Sequence, residues 1–148
     1  MIILDPSPGV KKHFDYIDFD LLSIAVTAVT TVIFGKQHNK VVKVYKTNQP
    51  TDFYMVTTNT IYLKFGKRTF EDVVSTIVHE LRHWMQDYVF KRSFTGKNYD
   101  ESTMELYKNS KLEKDARRFE QIYPYVAKLY RDLEKIQEVN DEKRYDKI

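Results

Sequence analysis

The stretch from Thr69 to Phe90 constrains the fold more than any other part of the chain. It holds no glycine or proline, opens on Thr69 as a capping residue, and carries Glu71 and Asp72 in what would be its first turn. That arrangement predicts a long helix. With Ile77 set at 0° on a helical wheel, Phe70, Val73, Val74, Leu81, Trp84 and Tyr88 fall within about 60° of it. Such a stripe demands an apolar layer to lie against. His79 and His83 sit on the opposite side, at about 200° and 240°.

Punctuation elsewhere, near Pro6 to Gly9 and at Gly35, Pro50, Gly66, Gly96 and Pro124, divides the rest of the chain. Between Asp15 and Phe34 the residues Leu21, Leu22, Ile24, Ala25, Ala28, Val29 and Val32 recur at helical steps and predict a buried helix, although the Thr and Val run also suits a strand. Val41–Thr47, Phe53–Thr58 and Thr60–Phe65 predict a small antiparallel sheet of three strands. A further helix carries Leu112, Ala116, Phe119 and Tyr123 on one stripe, Pro124 opens a last segment, and Glu138–Ile148 reads as a solvated or frayed charged end. Segregated helices and strands in 148 residues predict one α+β domain over 1–148.

Composition narrows the chemistry. Zero cysteines exclude disulfides, thiolate metal sites and a cysteine nucleophile, so any metal must be held by His, Asp or Glu. The net charge of +3, from 24 Lys and Arg against 21 Asp and Glu, names no partner. The start of the chain lacks the positive and apolar regions of a secretory signal, and Leu21–Phe34 is shorter than the roughly 20 residues that cross a bilayer. The expectation is a cytoplasmic protein with no membrane span.

Within the long helix lies His79-Glu80-Leu81-Arg82-His83, an HExxH motif. Residues four apart lie about 6 Å apart along the helix axis and about 40° apart around it, so both imidazoles can reach one ion. Glu80, one step round, would stand near a metal-bound water as general base. With 4 His in this chain, the expected number of accidental matches is roughly 0.006. A catalytic zinc usually takes a third protein ligand. His13 and His38 are the only other histidines, so a carboxylate after the loop is the more economical source, with Glu113, Asp115 and Glu120 as candidates. Glu113 and Asp115 are about 200° apart on a helix, so only one can face the ion. Ser110-Lys111-Leu112-Glu113 also fits a capping box, and Asp115 has Arg82 and Arg117 as alternative partners.

The chain resembles the gluzincin type of HExxH metallopeptidase, in particular the small minimal gluzincins of bacteria and their viruses. The resemblance rests on HELRH, on Glu113-Lys114-Asp115-Ala116 as an ExxA element, and on the order helix, small sheet, HExxH helix and glutamate helix, over roughly Val41 to Tyr123. It implies a zincin-like fold, zinc on His79, His83 and Glu113, Glu80 as base, and hydrolysis of peptide bonds in a peptide or protein substrate. It also implies that Thr60–Phe65 supplies the strand edge that pairs with substrate. The third histidine of the metzincin signature is absent, since Trp84-Met85-Gln86-Asp87 follows His83. Tyr107, Tyr123 and Tyr125 lie near enough in sequence to be oxyanion donors.

Two other readings compete. A structural zinc site would use His79 and His83 to tie helices together and would have no use for Glu80 as a base. A nucleic-acid-associated protein would use Lys64, Lys67, Arg68, Arg82, Lys91, Arg92 and Lys97 with Phe65, Trp84 and Phe94.

Overall fold

Ile2, Leu4 and Pro6 alternate with exposed Ile3 and Asp5, and this period of two forms strand β1 (Ile2–Pro6). The computed structural model describes residues 1–36, 38–86 and 111–146, with side chains described up to residue 143. Ser7 caps a short helix α1 (Pro8–His13) by accepting from the Val10 amide. Asp18 then caps α2 (Phe19–Phe34), accepting from the amides of Asp20 and Leu21, and Gly35 ends that helix in the left-handed region at φ 65°. The Thr- and Ser-bearing run is thus helical, and its hydroxyls have a task. Ser23 Oγ accepts from the Leu4 amide and Thr27 Oγ1 from the Ile2 amide, so α2 closes the outer edge of β1. This is why Ser23 is buried while Ile24, Val32 and Ile33, apolar but turned away from β1, are exposed.

β2 (Lys40–Thr47), β3 (Phe53–Met55) and β4 (Thr60–Lys64) complete a four-stranded sheet in the order β1-β2-β4-β3. The three predicted runs are strands, but the predicted antiparallel arrangement is corrected. β2 pairs in parallel with both β1 and β4, and only β3 and β4 are antiparallel. After β2 the chain goes out to the edge as β3 and returns between, so β4 has a neighbour on both sides. β3 stops at Met55 because Val56–Asn59 forms a turn in which Asn59 takes φ 51°, a conformation Asn tolerates.

α3 (Phe70–Trp84) and α4 (Lys111–Glu120) pack side by side, and α5 (Tyr123–Asp146) lies against α2 and α3. Ile2, Leu4, Val42, Val44, Ile61 and Leu63 from the sheet meet Val10, Phe14, Val73, Val74, Ile77 and Leu81 from the helices in a single core. The architecture is α+β with a small mixed sheet. The charged end is helical through Asp146, with a solvated surface from Lys135 to Lys143. Among the described residues no helix is long and apolar enough to cross a membrane.

Candidate metal centre

The predicted cap of the HExxH helix is present: Thr69 Oγ1 accepts from the Asp72 amide at 3.1 Å. Phe70, Val73, Val74, Ile77 and Leu81 are buried in the core, as the stripe requires. The opposite side of α3 is covered too, because α4 lies along it. His79 is therefore half-buried and His83 is 1% exposed. The predicted extension of this helix beyond Gln86 falls outside the described residues.

Glu113, in the first turn of α4, reaches both imidazoles. His79 Nε2 stands 3.0 Å from Glu113 Oε1, and His83 Nε2 stands 2.9 Å from Oε2. Tetrahedral donors about 2.0–2.1 Å from a zinc ion would lie roughly 3.3 Å from one another, so this spacing is close to that of a ligand set. The donor chemistry also fits, since two imidazole nitrogens and a carboxylate are what zinc takes without thiolates. His79, His83 and Glu113 form a buried group that could hold a metal ion. Asp115 does not share the site. It meets the same helix beside the site and accepts there from Arg82 Nε at 2.8 Å and Nη2 at 3.2 Å. The Arg82 guanidinium in turn lies over the rings of Phe34 and Phe119. This fork pins α3 to α4 and fixes the rotation of α4 that aims Glu113 inward. Glu120, one helical stretch further on, has Oε1 3.7 Å from His79 Nδ1, behind the imidazole rather than among the converging atoms.

Glu80 is 7% exposed and helps to line a cavity of about 250 Å³ with Thr51, Asp52, Lys64, Thr76, His79 and Glu120. Burial pushes its carboxyl up to about 7, and this outweighs the pull of His83 and His79 in the other direction. Burial acts the same way on Glu113, but hydrogen bonds and charge from His79 and His83 overcome it and hold that carboxyl well below the usual range. Burial alone would lower His79; the hydrogen bond to Glu113 and the charges of Glu80, Glu113 and Glu120 raise it instead. Two glutamates on adjacent helices are thereby driven apart, one to a permanent anion and one to a group that exchanges protons near neutrality.

The remaining candidates are dispersed. His13 Nε2 contacts the backbone of Gly66 and stacks on Phe65, and His38 is outside the cluster. Tyr125 is 67% exposed and lines an apolar groove with Val29 and Val32, while Tyr123 packs on the core; among the described residues no tyrosine lines the cavity. Of the basic and aromatic set, Lys64 lines the cavity, Arg68 is engaged by Asp52 and Asp72, Arg82 by Asp115, and Trp84 is 1% exposed. Tyr107, Ser110, Lys91, Arg92, Phe94 and Lys97 lie outside the described residues. The expectation that Thr60–Phe65 offers a free edge is also corrected: both sides of β4 are occupied, and the outer strand beside the cavity is β3, which directly follows the cavity-lining Thr51 and Asp52.

Sequence reasoning missed Gln86. Its Oε1 is 2.9 Å from His83 Nδ1, while its Nε2 donates to the Leu112 carbonyl and to Asp115 Oδ2, each at 2.8 Å. Its position three residues after His83, one helical turn on, is the only signal that would have marked it. Comparison with protein-family models, with curated proteins and with solved structures finds no match.

Proposed function

We propose that the chain is a zinc metallopeptidase of gluzincin type with a zincin-like arrangement of its HExxH and glutamate helices. The observation that carries this reading is the convergence of His79 Nε2 and His83 Nε2 on the Glu113 carboxylate, with Glu80 buried beside them at a cavity. His79, His83 and Glu113 would be the ligands, leaving room for water. Bound zinc supplies a Lewis acid that brings the pKa of its water toward about 7 and polarises the substrate carbonyl. Glu80 accepts the proton of the attacking water and delivers it to the leaving nitrogen, a task suited to a carboxylate buried beside the ligands at the cavity. Strand β3, paired among the described residues only with β4, offers backbone at the cavity mouth to an extended peptide.

The test compares wild type, Glu80→Gln and Glu113→Ala. Zinc per chain is measured by elemental analysis after dialysis, and hydrolysis is followed by mass spectrometry on an unfolded protein substrate. The expected result is about one zinc in the first two, little in the third, and cleavage by the wild type alone. Absence of metal from the wild type, or cleavage by Glu80→Gln, overturns the proposal. Zinc without cleavage in any of them favours a structural site instead.

A further inference from the structure

The two imidazoles must each present one particular nitrogen to the ion, and an imidazole has no intrinsic preference strong enough to guarantee it. For His83 the surrounding polar groups decide. One end of the Gln86 amide lies 2.8 Å from the Leu112 carbonyl and 2.8 Å from Asp115 Oδ2, and both of these are acceptors. That end must be the NH2 group, so the other end, facing His83 Nδ1 at 2.9 Å, is the carbonyl oxygen. A carbonyl oxygen can only accept, so His83 Nδ1 carries a hydrogen and Nε2 is the nitrogen available to a metal ion. That nitrogen faces Glu113 Oε2, 2.9 Å away.

We propose that Gln86 is a positioning residue: clamped by Asp115 and the Leu112 carbonyl, it fixes the His83 ring with Nε2 presented for metal binding. This rests on the metal-site reading above and adds a role for Asp115, the acid that fails to become a ligand. Asp115 takes hydrogen bonds from both Arg82 and Gln86, so one carboxylate docks the two helices and sets the ring that works between them. The clamp is buried, with Gln86 fully inaccessible, so water cannot substitute for it cheaply. Outer groups of this kind commonly change metal affinity by about 10- to 100-fold.

The experiment uses the full chain with 15N-labelled histidine, loaded with 113Cd for NMR, together with zinc affinities from chelator competition. In the wild type, cadmium should couple to Nε2 of His83, and the Nδ1 proton should exchange slowly. In Gln86→Met, which keeps the side-chain length and removes both polar ends, zinc affinity should fall about 10- to 100-fold and the Nδ1 proton should exchange rapidly. Asp115→Ala, with the Leu112 carbonyl still in place, should move both readouts the same way by less, and it carries the test if Gln86→Met does not fold. Wild-type affinity together with a protected Nδ1 proton in either folded variant overturns the role of Gln86 alone. A wild type that binds neither cadmium nor zinc overturns the metal site itself.

Discussion

Replacing Glu80 with Gln should make the metal-free protein more stable at alkaline pH, even as it removes the proposed base. The folded state raises the Glu80 carboxyl from 4.5 to about 7, because ionising it means placing a charge in a buried site. A group whose folded pKa lies above its unfolded one favours folding only while protonated. Its effect is therefore neutral below about pH 4.5, turns unfavourable between there and pH 7, and levels off above. The full difference corresponds to about 3 kcal/mol, and at pH 5 to under about 1 kcal/mol. Glutamine has nearly the shape of the protonated acid and avoids the ionisation. Urea unfolding of both proteins in excess chelator should thus show a stability gap near zero at pH 4.5 that widens to about 3 kcal/mol by pH 8. Saturating zinc should narrow the gap, since a cation beside Glu80 favours its charged form. A gap that is absent at pH 8, or equal at pH 5 and pH 8, would refute the argument, because a packing difference does not follow a titration curve.

Two further outcomes follow from the electrostatics. Zinc affinity, read by competition with a chelating dye, should fall as pH drops. His79 is raised above 6.5, so protons should begin to compete above that pH, with roughly a tenfold loss per pH unit for each proton displaced; constant affinity from pH 8.5 to 6 would contradict this. Arg68→Met should destabilise by about 3 kcal/mol in urea unfolding, since it strands Asp52, whose carboxylate accepts from Arg68 at 2.8 Å with both side chains largely buried. The half-exposed pair Arg131 and Glu71 serves as control, worth under about 1 kcal/mol, and equal losses at the two sites would be the contrary result.

The site was legible in the sequence where its chemistry is local. HELRH puts two imidazoles and a carboxyl on one helix by spacing alone, and the angle between Glu113 and Asp115 meant that only one of them would reach the histidines. That Glu113 is the inward one required the Arg82 fork, which had been one of two options for Asp115. The burial of His83 was not legible, because the histidines lie opposite the core stripe and it is α4, a separate element, that covers them. Gln86 was missed for a related reason, since its meaning depends on Leu112 and Asp115 across the helix interface. Strand positions were readable from alternation, but strand order was not. The pairing of β1 with β2 spans two intervening helices, and the insertion of β4 inside β3 leaves no mark on either strand's periodicity.

The hydroxyls of Ser23 and Thr27 bear on how this chain behaves in a crowded solution. By occupying the Leu4 and Ile2 amides they remove one flank of the sheet as a template for self-association, which leaves, among the described residues, the three of β3 as the remaining outer strand. A Ser23→Ala, Thr27→Val chain would leave the Ile2 and Leu4 amides without these acceptors and so loosen α2 from a second, longer flank, five residues from Ile2 to Pro6. Such a protein could keep the grouping of His79, His83 and Glu113 intact and still be lost to fibres or strand-exchanged dimers. Two hydroxyls on α2 thus help to close one flank of the sheet to another strand.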